Sequence, residues 1–224
     1  MYRGASAMNN QADALVNEMV PSYAADLAAT IAPERLARSQ AVSAKLIEAH
    51  IERNALGVGA VAPDFLLPDA SGSMVQLSTL LAEGPVVLAF YRGAWCPYCN
   101  LQLRAYQRAL PQIQARHATL VAISPQLPDG SLTTVEQNEL AFPVLSDVGN
   151  KVAQQYGLVF QLDDDVRERY LAMKIDLEQS NGDTSWQLPM PGTFVIGRDG
   201  IIHLAFVHPD YTQRLEPAAI IAAL

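Results

Sequence analysis

Cys96 and Cys99 are the only cysteines of a 224-residue chain, and they stand two residues apart in "AFYRGAWCPYCNLQLRAY", residues 89–106. Three chemistries use this spacing. A zinc knuckle needs two further soft or imidazole ligands. The four histidines, His50, His117, His203 and His208, include no pair with finger-type spacing. A static disulfide across so short a loop adds little stability by the loop-entropy argument. A redox pair needs a first thiol that ionises readily and a second close enough to bond to it. Cys96 meets the start of a predicted helix with Pro97 at its first position, where unpaired backbone N–H groups and the positive end of the helix dipole favour a thiolate. Cys99 lies one turn further on the same side. The redox pair is therefore the favoured reading, with Arg92 adding positive charge and Trp95 and Tyr98 walling the site against water.

The rest of the composition narrows the setting. With 50% hydrophobic and 17% charged residues, the chain suits one compact domain plus an accessory segment. A formal charge of −8 argues against nucleic acid or an anionic membrane surface as the main partner. The opening "MYRGASAMNNQADALVNEMV" has no apolar run of signal-peptide length, and no stretch approaches the roughly 18–20 apolar residues of a membrane span. The expectation is a cytoplasmic protein, where a stable disulfide is unusual and a reactive one is not.

The elements that must position the cysteines follow from periodicity. Residues 9–56 read as helix, with Leu15, Met19, Tyr23 and Leu27 at helical spacing and Pro21 as a kink. A second helix starts at Pro33 and runs through Leu36, Leu46, Ile47 and Ile51. These helices either cover the main domain or pair with another subunit. "FLLPDASGSMVQLSTLL" reads as two short strands about a turn at Ser71–Gly72. "PVVLAFY" (85–91) and "ATLVAIS" (118–124) read as buried strands, with the cysteine helix between them. "SLTTVEQNEL" reads as helix, "FPVLSD" as a short strand, and Asn150 opens another helix. "LDDDVRERYLAMKIDLEQSNGD" reads as one helix with Val166, Tyr170, Met173 and Leu177 on one face, stopped at Asn181–Gly182. "TFVIGRDGIIHLAFV" reads as strand, Asp199–Gly200 turn and strand, and "EPAAIIAAL" as a last helix. Strand–helix alternation ending in a hairpin argues an α/β sheet covered on both faces.

The runs "APDFLLPDASGSMVQLSTLL", "GPVVLAFYRGAWCPYCNLQL" and "PGTFVIGRDGII" resemble the AhpC/TSA family, the peroxiredoxin-like branch of the thioredoxin-fold superfamily, over residues 58–224. The resemblance implies a redoxin domain at 58–224 with a central mixed sheet, preceded by an N-terminal helical extension at 1–57. It implies a loop "MPGTF" beside the cysteines, with Pro191 in cis, the Met190 backbone open to an extended substrate, and Thr193 nearby. It implies thiol-dependent reduction of a peroxide: Cys96 attacks, Cys99 resolves, and a thioredoxin-like dithiol recycles the disulfide. No cofactor or metal enters this scheme. Departures from the family pattern accompany the match. Where the family carries P-x-x-x-T/S-x-x-C, this chain has Ala89 and Gly93 at the proline and hydroxyl positions. Pro191 stands where many relatives carry an activating arginine, and Arg92 is the candidate to replace it. Disulfide exchange on protein or small-molecule disulfides thus stays open as the reaction. A non-catalytic redox sensor, using the long front segment to bind a partner, also stays open, as does a homodimer through the N-terminal helices.

Three other groups read more plainly. "DDD" at 163–165 is an acidic helix start rather than a metal site. "HPDYTQR" (208–214), with His208, Asp210, Tyr211 and Arg214, reads as a polar surface rim. "SPQ" (124–126) follows a strand at its carboxyl end and is a candidate cleft lining. No G-x-G-x-x-G or P-loop points to a nucleotide.

Overall fold

A computed structural model describes residues 33–224 together with Ala25 and Ala29. Of the first expected helix only Ala25 and Ala29 are described, both helical, and its Pro21 kink lies outside the described residues. Five strands form the central sheet in the order β5-β4-β3-β8-β9: β3 Val86–Phe90, β4 Thr119–Ser124, β5 Val144–Ser146, β8 Gly192–Ile196 and β9 Ile202–Val207. β3 pairs parallel with β4 and antiparallel with β8, so the sheet is mixed. Two small antiparallel sheets flank it, β1 Leu66–Pro68 with β2 Met74–Gln76, and β6 Val159–Gln161 with β7 Gln187–Pro189.

The alternation of β3 sorts the core into two layers. Val87, Ala89 and Tyr91 face one side with both cysteines, Leu103, Tyr106 and Ile220. Val86, Leu88 and Phe90 face the other with Phe65, Tyr156 and Phe194. The first layer is covered by α3 (Pro97–Gln114), α4 (Pro128–Asn138) and the closing α8 (Pro217–Ala223). The second is covered by α2 (Leu77–Glu83) and α5 (Lys151–Gln155). Strands buried on both faces explain why 85–91 and 118–124 read as continuous apolar runs.

The helix α1 spans Pro33–Glu48 and starts at the proline the sequence indicated, but Ile51 belongs to a separate 3-10 turn, Ile51–Asn54. "STLL" is the body of α2 and not part of a strand. The stretch expected as one helix from 163 to 181 is two, α6 (Asp164–Ala172) and α7 (Leu177–Asn181). Lys174 adopts a left-handed conformation at the break, and the Asp176 carboxylate accepts hydrogen bonds from the N–H groups of Glu178 and Gln179 to restart the chain. Met173 accordingly leaves the shared face and is exposed, while Val166 and Leu177 are buried. The acidic run does begin a helix, with Asp163 at the N-cap and Asp164 and Asp165 in the first turn. The β6–β7 pair leaves no signal in the sequence, because each strand is only three residues long and α6 and α7 lie between them.

Helices α6 and α7, with the β6–β7 pair at their base, enclose a third, small core of Leu162, Val166, Leu177, Trp186 and Leu188. Val42 of α1 and Trp95 of the cysteine turn pack against it. Lys45 of α1 also reaches Asp163 at 3.7 Å. The described part of the front segment therefore lies on the excursion between the main strands, against the same small core as Trp95. Removing the restart cap, Asp176→Ala, is expected to cost about 1 kcal/mol. Denaturant unfolding checks this, and a loss confined to the third core should appear as faster amide exchange in α7 before global unfolding.

Candidate active site

Cys96 is the N-cap of α3, with extended backbone, and Pro97 takes the first turn. The turn from β3 is tied down on several sides. Cys96 N–H donates to Gly93 O at 3.0 Å, and Asn100 Nδ2 donates to Ala94 O at 2.7 Å. Ala94 N–H donates to Gln126 Oε1 at 2.7 Å, so "SPQ" does line the site, through Gln126. Gly93 has φ of 147°, and a side chain there would place its Cβ 2.5 Å from Trp95 Nε1. The hydroxyl position of the family pattern is thus filled by Trp95, and no side chain fits at residue 93.

Both sulfurs are free thiols and fully buried. Arg92 Nη2 donates to Cys96 Sγ at 3.2 Å, and Arg214 Nη2 lies 3.6 Å from Cys99 Sγ. Arg92 is stacked on Tyr211, 4.0 Å from the ring centroid, and on Trp95 at 5.2 Å, and its Nη1 donates to Tyr170 OH at 3.3 Å. Tyr98 packs edge-on to Tyr211. Arg92 thus faces aromatic rings, a hydroxyl and a sulfur, and Arg214 faces a side-chain amide and a sulfur. Two cations and two ionisable sulfurs share one buried enclosure.

Burial by itself pushes the Cys96 thiol up. The Cys99 hydrogen bond, the charges of Arg92 and Arg214 and the Arg92 hydrogen bond together pull it well below an ordinary thiol. At an effective dielectric of about 20, one cation at this range is worth roughly 5 kcal/mol. That only matches the several kcal/mol cost of burying an ion, so the second arginine and the Cys99 hydrogen bond decide the sign. Cys99 moves the other way: burial, its hydrogen bond to Cys96 and the Cys96 charge hold it well above the usual value against both arginines. The two shifts run in opposite directions, favouring a thiolate at Cys96 and a thiol at Cys99. The Cys96 sulfur makes no cap hydrogen bond to the helix backbone. The stabilisation expected from helix amides comes instead from the Cys99 hydrogen bond and the two guanidinium groups.

The sequence-named residues divide accordingly. Cys96, Cys99, Arg92, Trp95, Pro97 and Tyr98 come together as expected. Met190 does not present a free N–H: it donates to Leu158 O at 2.8 Å, and the side chain is buried. Pro191 is trans, since the described residues contain no cis peptide bond. The extended chain of β7 runs on into β8 here, and the ordinary trans preference of an X–Pro bond suffices. Thr193 touches the site only indirectly, through Tyr106 OH at 3.0 Å and Gln102 Nε2 at 3.4 Å. Arg214 and Tyr211, read as a polar rim, are inside the site. Their signal in the sequence is faint: an arginine and a tyrosine before an apolar helix read the same whether the segment is exposed or folded inward.

The AhpC/TSA family model matches residues 58–205. The chain belongs to the AhpC/TSA family. A putative peroxiredoxin of Mycobacterium tuberculosis is 34% identical over 100 residues, which cover 45% of this chain and 65% of that protein. Peroxiredoxin Bcp of Escherichia coli is 30% identical over 105 residues, covering 47% and 67%. The matched stretch thus spans about two thirds of these curated relatives. Among solved structures, peroxidoxin BcpB of Mycobacterium tuberculosis superposes with a TM-score of 0.59 at 25% identity, over 75% of this chain and 98% of that one. The fold is the thioredoxin-like fold of that family. Its family match ends before Tyr211 and Arg214, which close the site from outside it.

Arg92→Gln is expected to move the Cys96 ionisation upward, with Arg92→Lys between. An upward shift of one pKa unit leaves about a tenth of the thiolate at pH values below both titrations. Thiolate ultraviolet absorbance and the pH profile of alkylation read this directly.

Proposed function

We propose that this chain is a thiol-dependent peroxidase in which Cys96 is the nucleophile and Cys99 resolves it. The observation that carries the reading is the buried Cys96 sulfur, 3.2 Å from Arg92 Nη2 with a second thiol one helical turn away. The Cys96 thiolate attacks one oxygen of a hydroperoxide, the O–O bond breaks, and the departing alkoxide or hydroxide takes a proton. Cys96 becomes a sulfenic acid. Two guanidinium donors beside the sulfur favour negative charge on that departing oxygen. Cys99, losing its proton, then attacks the sulfenic sulfur, forming the Cys96–Cys99 disulfide and releasing water. A thioredoxin-like dithiol returns the pair to the reduced state, each cycle reducing one peroxide and oxidising one dithiol. The peroxiredoxin names of the relatives support this class of reaction.

A second reading has its own support. Gly93 carries no hydroxyl and Pro191 stands where many relatives carry an arginine, so the peroxide contacts rest on Arg92 and Arg214. Attack of Cys96 on a disulfide sulfur, resolved by Cys99, uses the same two sulfurs and is the alternative. A redox sensor that reacts once is the third. We place the protein in the cytoplasm, where a dithiol is kept reduced, with the redoxin domain beginning at residue 58. Ile47 is exposed on α1 and would offer an apolar side chain to a homodimer through the N-terminal helices.

Initial rates with hydrogen peroxide, an organic hydroperoxide and a protein disulfide, with a thioredoxin donor, separate these readings. Many turnovers on peroxide are expected. Cys96→Ser should be inactive, and Cys99→Ser should stop at a trappable sulfenic acid. Turnover on disulfides alone would replace the peroxidase reading with the second, and a single turnover on every oxidant would leave the sensor.

A further inference from the structure

Arg214 reaches the site from the loop after β9, outside the stretch that the family model matches. It is buried, and its position is set by a chain of buried polar contacts. Arg214 Nη1 donates to Gln102 Oε1 at 2.9 Å, and Gln102 Nε2 donates to Tyr106 OH at 2.9 Å. Tyr106 OH in turn meets Thr193 Oγ1 at 3.0 Å and Leu215 O at 3.1 Å. Gln102 and Tyr106 stand one and two turns beyond Cys99 on α3, so the guanidinium is fixed relative to the second sulfur by the same helix that carries it. Its Nη2 lies 3.6 Å from Cys99 Sγ, while Arg92 takes Cys96. Each thiol has its own arginine.

Resting on the two-thiol reading above, we propose that Arg214 is a positioning residue for the second half-reaction: it holds Cys99 ready to ionise once Cys96 has been oxidised, and so sets the order in which the thiols act. While Cys96 is a thiolate, Cys99 keeps its proton and donates it to that sulfur. Two of the three influences that hold Cys99 protonated, the hydrogen bond to Cys96 and the Cys96 charge, depend on that negative sulfur. Conversion of Cys96 to a sulfenic acid, or to a mixed disulfide, removes its charge. The groups then facing Cys99 are Arg214, Arg92 and the Tyr91 phenol, which burial pushes up to about 12 and which therefore stays neutral. Burial still opposes a charge on Cys99, and the Glu216 carboxylate is buried near Tyr106 at the far end of the polar chain. The two cations now act on Cys99 without the Cys96 charge against them and favour its thiolate. Its proton leaves, the sulfur attacks Cys96, and hydroxide (taking that proton as water) or a thiolate departs. A premature Cys99 thiolate beside the Cys96 thiolate would place two like charges in one apolar enclosure, which the same arrangement disfavours.

Single-turnover rapid mixing of the reduced full chain tests this, with wild type, Arg214→Lys and Arg214→Gln compared from about pH 6 to about pH 9.5, the range over which thiols titrate. Sulfenic acid is trapped and the disulfide scored by mass at timed intervals. At about pH 7, Arg214→Gln should close the disulfide roughly tenfold more slowly, with the deficit recovered as pH rises, because closure follows the Cys99 thiolate fraction. Lysine, keeping the charge but not the fork, should fall between. Closure at the wild-type rate in Arg214→Gln overturns the proposal, as does a deficit that neither rises with falling pH nor is relieved by lysine. Should the glutamine variant fail to fold, Arg214→Lys against wild type decides by the same pH-dependent slowing. The same closure is also read from a mixed disulfide made at Cys96 with a small aromatic disulfide, by release of the aromatic thiol. If peroxide does not oxidise Cys96, the peroxidase reading fails, and this second measurement still judges Arg214.

Discussion

A negative sulfur buried in an apolar core is the constraint on which the rest of this site depends. Such a charge is costly unless opposite charge is brought in with it. Here the compensation comes from the Cys99 hydrogen bond and from two arginines beside the sulfurs. Each guanidinium must then be held in place by neutral groups. Tyr170, Tyr211 and Trp95 do this for Arg92, through ring faces and one hydroxyl. Gln102, backed by Tyr106, does it for Arg214. A carboxylate in either role would have taken the charge that Cys96 needs.

That requirement explains the shape of the molecule around the sheet. Strand β3 and helix α3 deliver the two sulfurs and Arg92, as any strand–turn–helix of this kind would. The remaining parts come from distant segments: Tyr170 from α6, Tyr211 and Arg214 from the loop before α8, and Gln126 from the end of β4. The excursion between α5 and β8 has its own small core, and α1 lies against it through Val42. The described front segment therefore buttresses the cover of the site.

The asymmetry between the thiols follows from the same electrostatics. They share burial, arginines and one helix, yet their ionisation is pushed in opposite directions, because a second charge would meet the first at close range. In the proposed scheme, oxidation of the first removes that obstacle for the second.

The pair Cys96 and Cys99 after an apolar strand, with Pro97 behind the first thiol, was legible in the chain because its elements are contiguous: dipeptide chemistry, strand burial and helix spacing all act over a few residues. The sheet strands, the Asp199–Gly200 hairpin and the last helix were legible for the same reason. The break at Lys174 was not, since a continuous apolar stripe runs across it and only the small third core decides that the chain turns. Pro191 in trans and the inward commitment of Met190 were likewise settled by how β7 meets β8. Least legible was Arg214. Sequence alone determined which sulfur sits at the helix start. Tertiary folding alone decided that a guanidinium more than a hundred residues away would stand beside the other, because burial of a charged side chain depends on what surrounds it and not on its neighbours in the chain.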